Sequence, residues 1–295
     1  MKKVAANFGL IIAILIVLMF ALDKMYTYAF THGIPRSKLR HLLQQQNVTF
    51  DYVFFGSSRT EFHINCELVE KLTGKSCINY GMSGATLMDT YALLRVMEAR
   101  NVRFKNAFVQ VDYLYNVTDF SPAFKAELLP FQNDPKIGEI LESYNNSFSN
   151  KYIPFYRYMV NDHVIGFREI FNLLIHKRPK IDFNNGFVPK YGTRDDILQS
   201  MPNNIIETNE SMEAMIVHFN KLSVPYYFFT APICKITVDR NSYMEKLKTK
   251  IPDLNNYVQI FDDNDDYFFD CAHLNNTGAQ AYTSFIINDL ILKTN

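Results

Sequence analysis

Four residues near the C-terminus, Asp270-Cys271-Ala272-His273, set a carboxylate three positions before an imidazole. At that spacing the carboxylate can orient the ring and stabilise its charged form. A general base needs both to take a proton from a serine hydroxyl. A candidate serine lies in Phe55-Gly56-Ser57-Ser58-Arg59, where an apolar run stops at a glycine. Asn79-Tyr80-Gly81-Met82-Ser83-Gly84 follows a second short apolar run. Three polar loops at strand ends are what one active site built across a sheet edge requires. Asp270, Cys271 and His273 do not read as a metal site, because no second ligand cluster exists in the chain. No cofactor is implied.

The elements that must position these loops can be read from periodicity. Residues 51–55 form a short, nearly all-apolar stretch, as expected of a strand covered on both faces. A helix over 65–73 carries Leu68, Val69 and Leu72 on one side and ends at Gly74. Strands follow at 77–80, 107–111, 225–229 and 257–261. Helices are predicted from about Thr86, over 205–222, and from about Thr277. This alternation implies a three-layer α/β/α domain on a five-stranded parallel sheet. The stretch 117–203 is too long for an ordinary crossover and reads as a mostly helical insertion. Its many aromatics either fill a small core of their own or form a wall of the substrate cleft. Asp89 reads as solvated, His63 as a partly exposed structural histidine, and Ser57 as a possible cap of the next helix.

Residues 4–22 are apolar apart from Asn7 and Gly9, and Lys2 and Lys3 precede them. The run is close to the roughly 20 residues that a spanning helix needs. No small-x-small cleavage site follows, so it reads as an uncleaved signal anchor in preference to a cleaved signal peptide, with a buried core helix as a further alternative. Residues 1–3 then lie in the cytoplasm, 23–48 form a juxtamembrane connector, and 49–295 form the extracytoplasmic body of a single-pass inner-membrane protein. Lys+Arg and Asp+Glu both number 30, which gives no case for a nucleic-acid partner. The four cysteines include no Cys-x-x-Cys pair and read as free buried thiols. Cys66 and Cys77 are near enough in sequence to bridge in an oxidising compartment.

In its loops the chain resembles the SGNH (GDSL-type) hydrolases. That family carries Gly-Asp-Ser after its first strand, Asn-x-x-x-Ser-Gly after its second, Gly-x-Asn-Asp after its third, and Asp-x-x-His before its last helix. Here the first block reads Gly56-Ser57-Ser58, with serine in place of aspartate. The second, Asn79 to Gly84, and the fourth, Asp270 to His273, match. In place of the third stands Asp112-Tyr113-Leu114-Tyr115-Asn116. The resemblance implies an SGNH/flavodoxin-like fold with Ser58 as nucleophile, His273 as base and Asp270 as its orienting partner. It implies the backbone N–H groups of Ser58 and Gly84 as oxyanion donors, with Asn116 the nearest candidate for the family's third donor. Arg59, Asn79 and Asp112 become candidate substrate-binding residues; Arg59 either binds an anionic group or pairs with Glu61.

Anchored members of this family add or remove acyl groups on exported polymers. The resemblance therefore implies a serine esterase or O-acyltransferase acting on acyl, notably acetyl, esters of an envelope polysaccharide. Its partners would be the acylated glycan and a membrane-bound O-acyltransferase. The alternative is a non-catalytic glycan-binding or assembly component that keeps the fold.

Overall fold

The structure is a computed structural model that describes residues 1–194 and 199–293. Four parallel strands form its sheet: β1 (Thr49–Phe55), β2 (Cys77–Asn79), β3 (Arg103–Gln110) and β4 (Tyr226–Phe229), in the order β2-β1-β3-β4. Val53 pairs with Ile78 on one side and Ala107 on the other. Val53, Phe54 and Phe55 have no exposed surface, so β1 is apolar on both faces. Phe54 stacks on Phe108 with ring centroids 4.7 Å apart. Burying each such side chain stabilises the fold by about 1.5–3 kcal/mol.

The connecting helices start and stop where the side chains dictate. Asn65 caps the helix Cys66–Thr73 by accepting from the N–H groups of Glu67 and Leu68, and Gly74 ends it in the left-handed region at φ +67°. Thr86 caps Leu87–Ala99 in a reciprocal box with Asp89. Asp89 is thus fully buried, where a solvated residue was expected. Its carboxylate accepts from the N–H groups of Thr86 and Ser121. Burial outweighs those bonds and pushes its pKa up to about 7.

The expected fifth strand is absent: residues 257–261 run as a turn. Asn255 makes a single parallel bridge to Phe229. Beyond it, the Thr230 hydroxyl takes the Tyr257 N–H at 2.7 Å and the Asn256 side chain takes that of Val258 at 3.2 Å. Side-chain acceptors have captured the donors that a ladder would use. Tyr257 and Val258 remain buried, so the apolar run fills the core without joining the sheet. The helix Arg240–Lys250 was not anticipated; its buried Tyr243, Met244 and Leu247 lie on one face of an otherwise polar segment.

The chain divides into two units, residues 1–44 with 122–179 and residues 45–121 with 180–295. The second holds the sheet. The first is helical and begins with Lys2–His32, a helix long and apolar enough to cross a membrane. Its apolar window has no buried share, which removes the core-helix alternative. Phe124, Phe131, Tyr144 and Tyr158 are buried within this helical unit.

Candidate active site

The serine loop is shaped at Gly56. Its φ is +150°, and a Cβ there would meet Thr60 Oγ1 at 2.3 Å and Gln110 Oε1 at 2.7 Å. Only glycine fits this exit from β1. The next two serines take different roles. Ser57 is 1% exposed, caps the short helix Ser58–Glu61, and donates its hydroxyl to Gln110 Oε1 at 2.9 Å. Ser58 Oγ lies 2.8 Å from His273 Nε2.

His273 sits in a small antiparallel hairpin, β5 (Phe268–Asp270) and β6 (His273–Leu274), in which Asp270 and His273 are paired. His273 Nδ1 lies 2.9 Å from Asp270 Oδ1. The same carboxylate oxygen accepts the N–H groups of Ala272 and His273, each at 2.9 Å, so the carboxylate is held before it meets the ring. A hydroxyl, an imidazole and a carboxylate thus form one hydrogen-bonded line, the arrangement that can activate a serine as a nucleophile. Burial, opposed by Asp270, lowers the His273 pKa below its ordinary value, which leaves the ring neutral and able to accept a proton at neutral pH.

The glycine loop is fastened on both sides of Ser58. Met82 N–H donates to the Gly56 carbonyl at 3.0 Å, and Ser83 N–H to Glu61 Oε2 at 3.0 Å. Gly84 has φ +76° and open space where a side chain would stand. Among the described residues, neither the Ser58 nor the Gly84 N–H is bonded to an acceptor.

The remaining candidates make the following contacts. Arg59 has no exposed surface and pairs with Asp112, not with Glu61. It also donates to the carbonyls of Ala231 and Pro232. Gln110 Nε2 donates to the same Asp112 carboxylate and completes a buried network across the ends of β1, β3 and β4. Neither Arg59 nor Asp112 has exposed surface; the pair supports the serine loop, and Arg59 also lines the cavity beside it. Asn79 is likewise fully buried and spent on the backbone. It donates to the carbonyls of Thr60 and Ile64 at 2.7 and 2.8 Å and accepts from Gly81 N–H at 2.9 Å. Asn116 donates its amide to the Asn204 carbonyl at 2.6 Å and accepts from Ile206 N–H at 3.2 Å. That amide makes no contact with Ser58 or His273.

Three further contributors were misread or missed in the sequence. His63 is fully buried, not partly exposed, and its Nε2 accepts from Leu274 N–H at 2.9 Å, tying the serine loop to β6. Burial holds its pKa well below 6.5, so it stays neutral as that bond requires. Residues 185–194 strap the site. Asn79 N–H donates to the Asn185 carbonyl, and a Cβ at Gly186 would meet the Asn79 carbonyl at 2.1 Å. Lys190 lies 4.3 Å over the Phe62 ring, itself 5.4 Å from His273. Finally, the cysteines are not free. Cys66 bridges Cys77, and Cys234 bridges Cys271 inside the Asp-x-x-His tetrad, with Cα separations of 5.2 and 4.8 Å. The second pair is brought together by the approach of the hairpin to the end of β4, where Cys234 N–H donates to the Cys271 carbonyl at 3.1 Å.

Beside the triad lies a cavity of about 340 Å³, lined by Tyr113, Met201, Pro202, Ile233, Thr237 and Ala272 among others.

No family model and no curated protein matches the chain. Eleven solved chains match it. One, provisionally described as a platelet activating factor from Streptococcus pneumonia, is 14% identical over 96% of this chain and 98% of its own, with a TM-score of 0.40. A likeness that slight carries no argument, and the reading of this chain rests on its own residues.

Proposed function

We propose that the chain is a membrane-anchored serine esterase or O-acyltransferase of the SGNH type. The observation that carries this is the line Ser58 Oγ, His273 Nε2, His273 Nδ1, Asp270 Oδ1, with contacts of 2.8 and 2.9 Å. Ser58 Oγ attacks the ester carbonyl while His273 Nε2 takes its proton and then delivers it to the departing alcohol oxygen. The acyl-serine left behind is attacked by water or by an acceptor hydroxyl, whose proton passes to His273. The N–H groups of Ser58 and Gly84 face the developing oxyanion; one such donor lowers a barrier by about 3 kcal/mol. The cavity at Tyr113 and Ala272 holds the group attached to the ester.

The envelope setting follows from the helix at residues 4–22, read as a span with its N-terminus in the cytoplasm. Two disulfides accord with an oxidising compartment for the sheet unit. With the resemblance to anchored SGNH proteins, this points to acyl esters on an exported polysaccharide, and to a membrane-bound O-acyltransferase as a partner. A non-catalytic glycan-binding role is favoured only by the third donor, since the Asn116 amide is committed elsewhere.

A fluorophosphonate probe tests the catalytic reading. It should label the purified chain, and Ser58→Ala should abolish labelling while Ser57→Ala lowers it only in proportion to lost folding. Labelling that persists in Ser58→Ala, or is absent from the native chain, would falsify it.

A further inference from the structure

The helical unit exposes apolar side chains at a defined height on its long helix. Residues 4–22 of that helix are apolar and largely exposed, and Asp23 is the first charge after them. Asp23 is tied at once to the short helices 148–160. Its carboxylate accepts from Arg157 at 2.9 Å and from Phe155 N–H at 2.8 Å. One turn on, Tyr26 meets the rings of Phe155 and Tyr158 at 4.9 and 5.2 Å, and Thr27 bonds the Tyr158 hydroxyl at 2.8 Å. Phe155 adopts φ +63° to make these contacts, a conformation that a bulky side chain takes only when its surroundings hold it there.

The helix rise converts these ties into a depth. At 1.5 Å per residue, Asp23 to Thr27 spans about 6 Å. A bilayer's hydrocarbon core is about 30 Å thick and the whole about 40–45 Å, so each headgroup layer is about 5–7 Å deep. If residues 4–22 fill the core, the segment packed on Asp23 to Thr27 lies at headgroup level. The side chains that it leaves outward are Phe148 (72% exposed), Tyr152 (60%), Ile153 (38%), Met159 (58%) and Val160 (47%). Aromatic and aliphatic groups at that depth are the composition of an interfacial membrane contact.

We infer that helices Phe148–Tyr152 and Tyr156–Val160 form a ledge seated in the headgroup layer, with these five side chains in lipid. The inference rests on the reading of residues 4–22 as a span. The ledge is a second hold on the bilayer beside the anchor, and it limits rotation and tilt of the helical unit on its tether.

Depth-dependent quenching in the full-length chain tests this. Single cysteines carrying an environment-sensitive fluorophore are introduced by Tyr152→Cys, Met159→Cys, Ile12→Cys or Leu72→Cys, with the native cysteines left in their disulfides. The labelled chains are reconstituted in nanodiscs of phosphatidylcholine containing nitroxide at the headgroup or deep in the acyl chain. Headgroup nitroxide should quench positions 152 and 159 at least about threefold more than the exposed control at 72, and deep nitroxide should quench position 12. Position 12 open to water would overturn the span and the ledge together. Position 12 in lipid with 152 and 159 no more quenched than 72 would overturn the ledge alone and leave its apolar face to a protein partner.

Discussion

Two buried arginines, one in each unit, are paired differently. Beneath Ser58 the sheet unit encloses a complete ion pair, Arg59 with Asp112, neither with exposed surface, beside the buried Gln110 and Asn79. The helical unit also buries the cations Lys38, Arg40 and Arg157, but Arg157 pairs with an Asp23 carboxylate that keeps 14% of its surface, and Phe148, Tyr152 and Met159 turn outward. The first spends buried polarity to fix a loop at one geometry. The second leaves apolar area uncovered, which is costly in water and not in lipid.

The largest effect that would sharpen this contrast is chemical. His273→Ala should reduce turnover by about 10⁴-fold or more with the fold intact, as expected when one member of a hydrogen-bonded triad is lost. In the native chain the base must be neutral, and its pKa is lowered by burial. The ascending limb of the pH–rate profile should therefore have its midpoint below 6.5, with activity kept as pH falls to that value. A midpoint at or above 6.5 would show that Asp270's hold on the charged ring offsets or exceeds the effect of burial.

Next come the two ion pairs. Arg59→Met leaves the Asp112 carboxylate buried without its counter-charge, held only by Gln110, and should cost about 3–5 kcal/mol, most of it recovered in Arg59→Met with Asp112→Leu. Arg157→Met should cost only about 1–2 kcal/mol, because Asp23 keeps access to water. Equal losses in denaturant unfolding would erase the distinction between the units.

The disulfides divide along similar lines. Opening Cys234–Cys271, 37 residues apart, should destabilise by about 4 kcal/mol, and opening Cys66–Cys77, 11 apart, by about 3 kcal/mol on loop entropy. Their stability costs are near each other, yet only the first adjoins Asp270. Ser substitution of Cys234 and Cys271 should cut probe labelling far more than the same change at Cys66 and Cys77, measured where both variants remain folded. The smallest effect belongs to Asn116→Ala, which should lower turnover less than about tenfold, where loss of a true oxyanion donor costs about a hundredfold or more.

What the sequence made legible was local. Asp270 and His273 are three residues apart, Gly56 follows an apolar strand, and Thr86 and Asn65 precede apolar periodicity; each pattern carries its own geometry. The site's supports are tertiary. Arg59 reads as a surface cation beside a nucleophile until β3 brings Asp112 under it. Asp89 reads as a solvated helix residue because its second donor, Ser121, lies 32 residues away. Residues 257–261 look like a strand because burial favours the same residues in strands and in buried turns. The strap at 185–194 has no periodicity at all, and only the glycine at 186, pressed against the Asn79 carbonyl, marks it.

The bond between Ser58 and His273 spans 215 positions of chain. At about 5–20 residues per second, synthesis delivers the serine roughly 10–40 s before its base. Throughout that interval Ser58 is an ordinary alcohol with no partner to remove its proton. The hairpin that completes it is also pinned by a cystine, which closes only where an oxidant is present. On the proposed function, Ser58 thus gains its base only once the hairpin has been made and its cystine has closed.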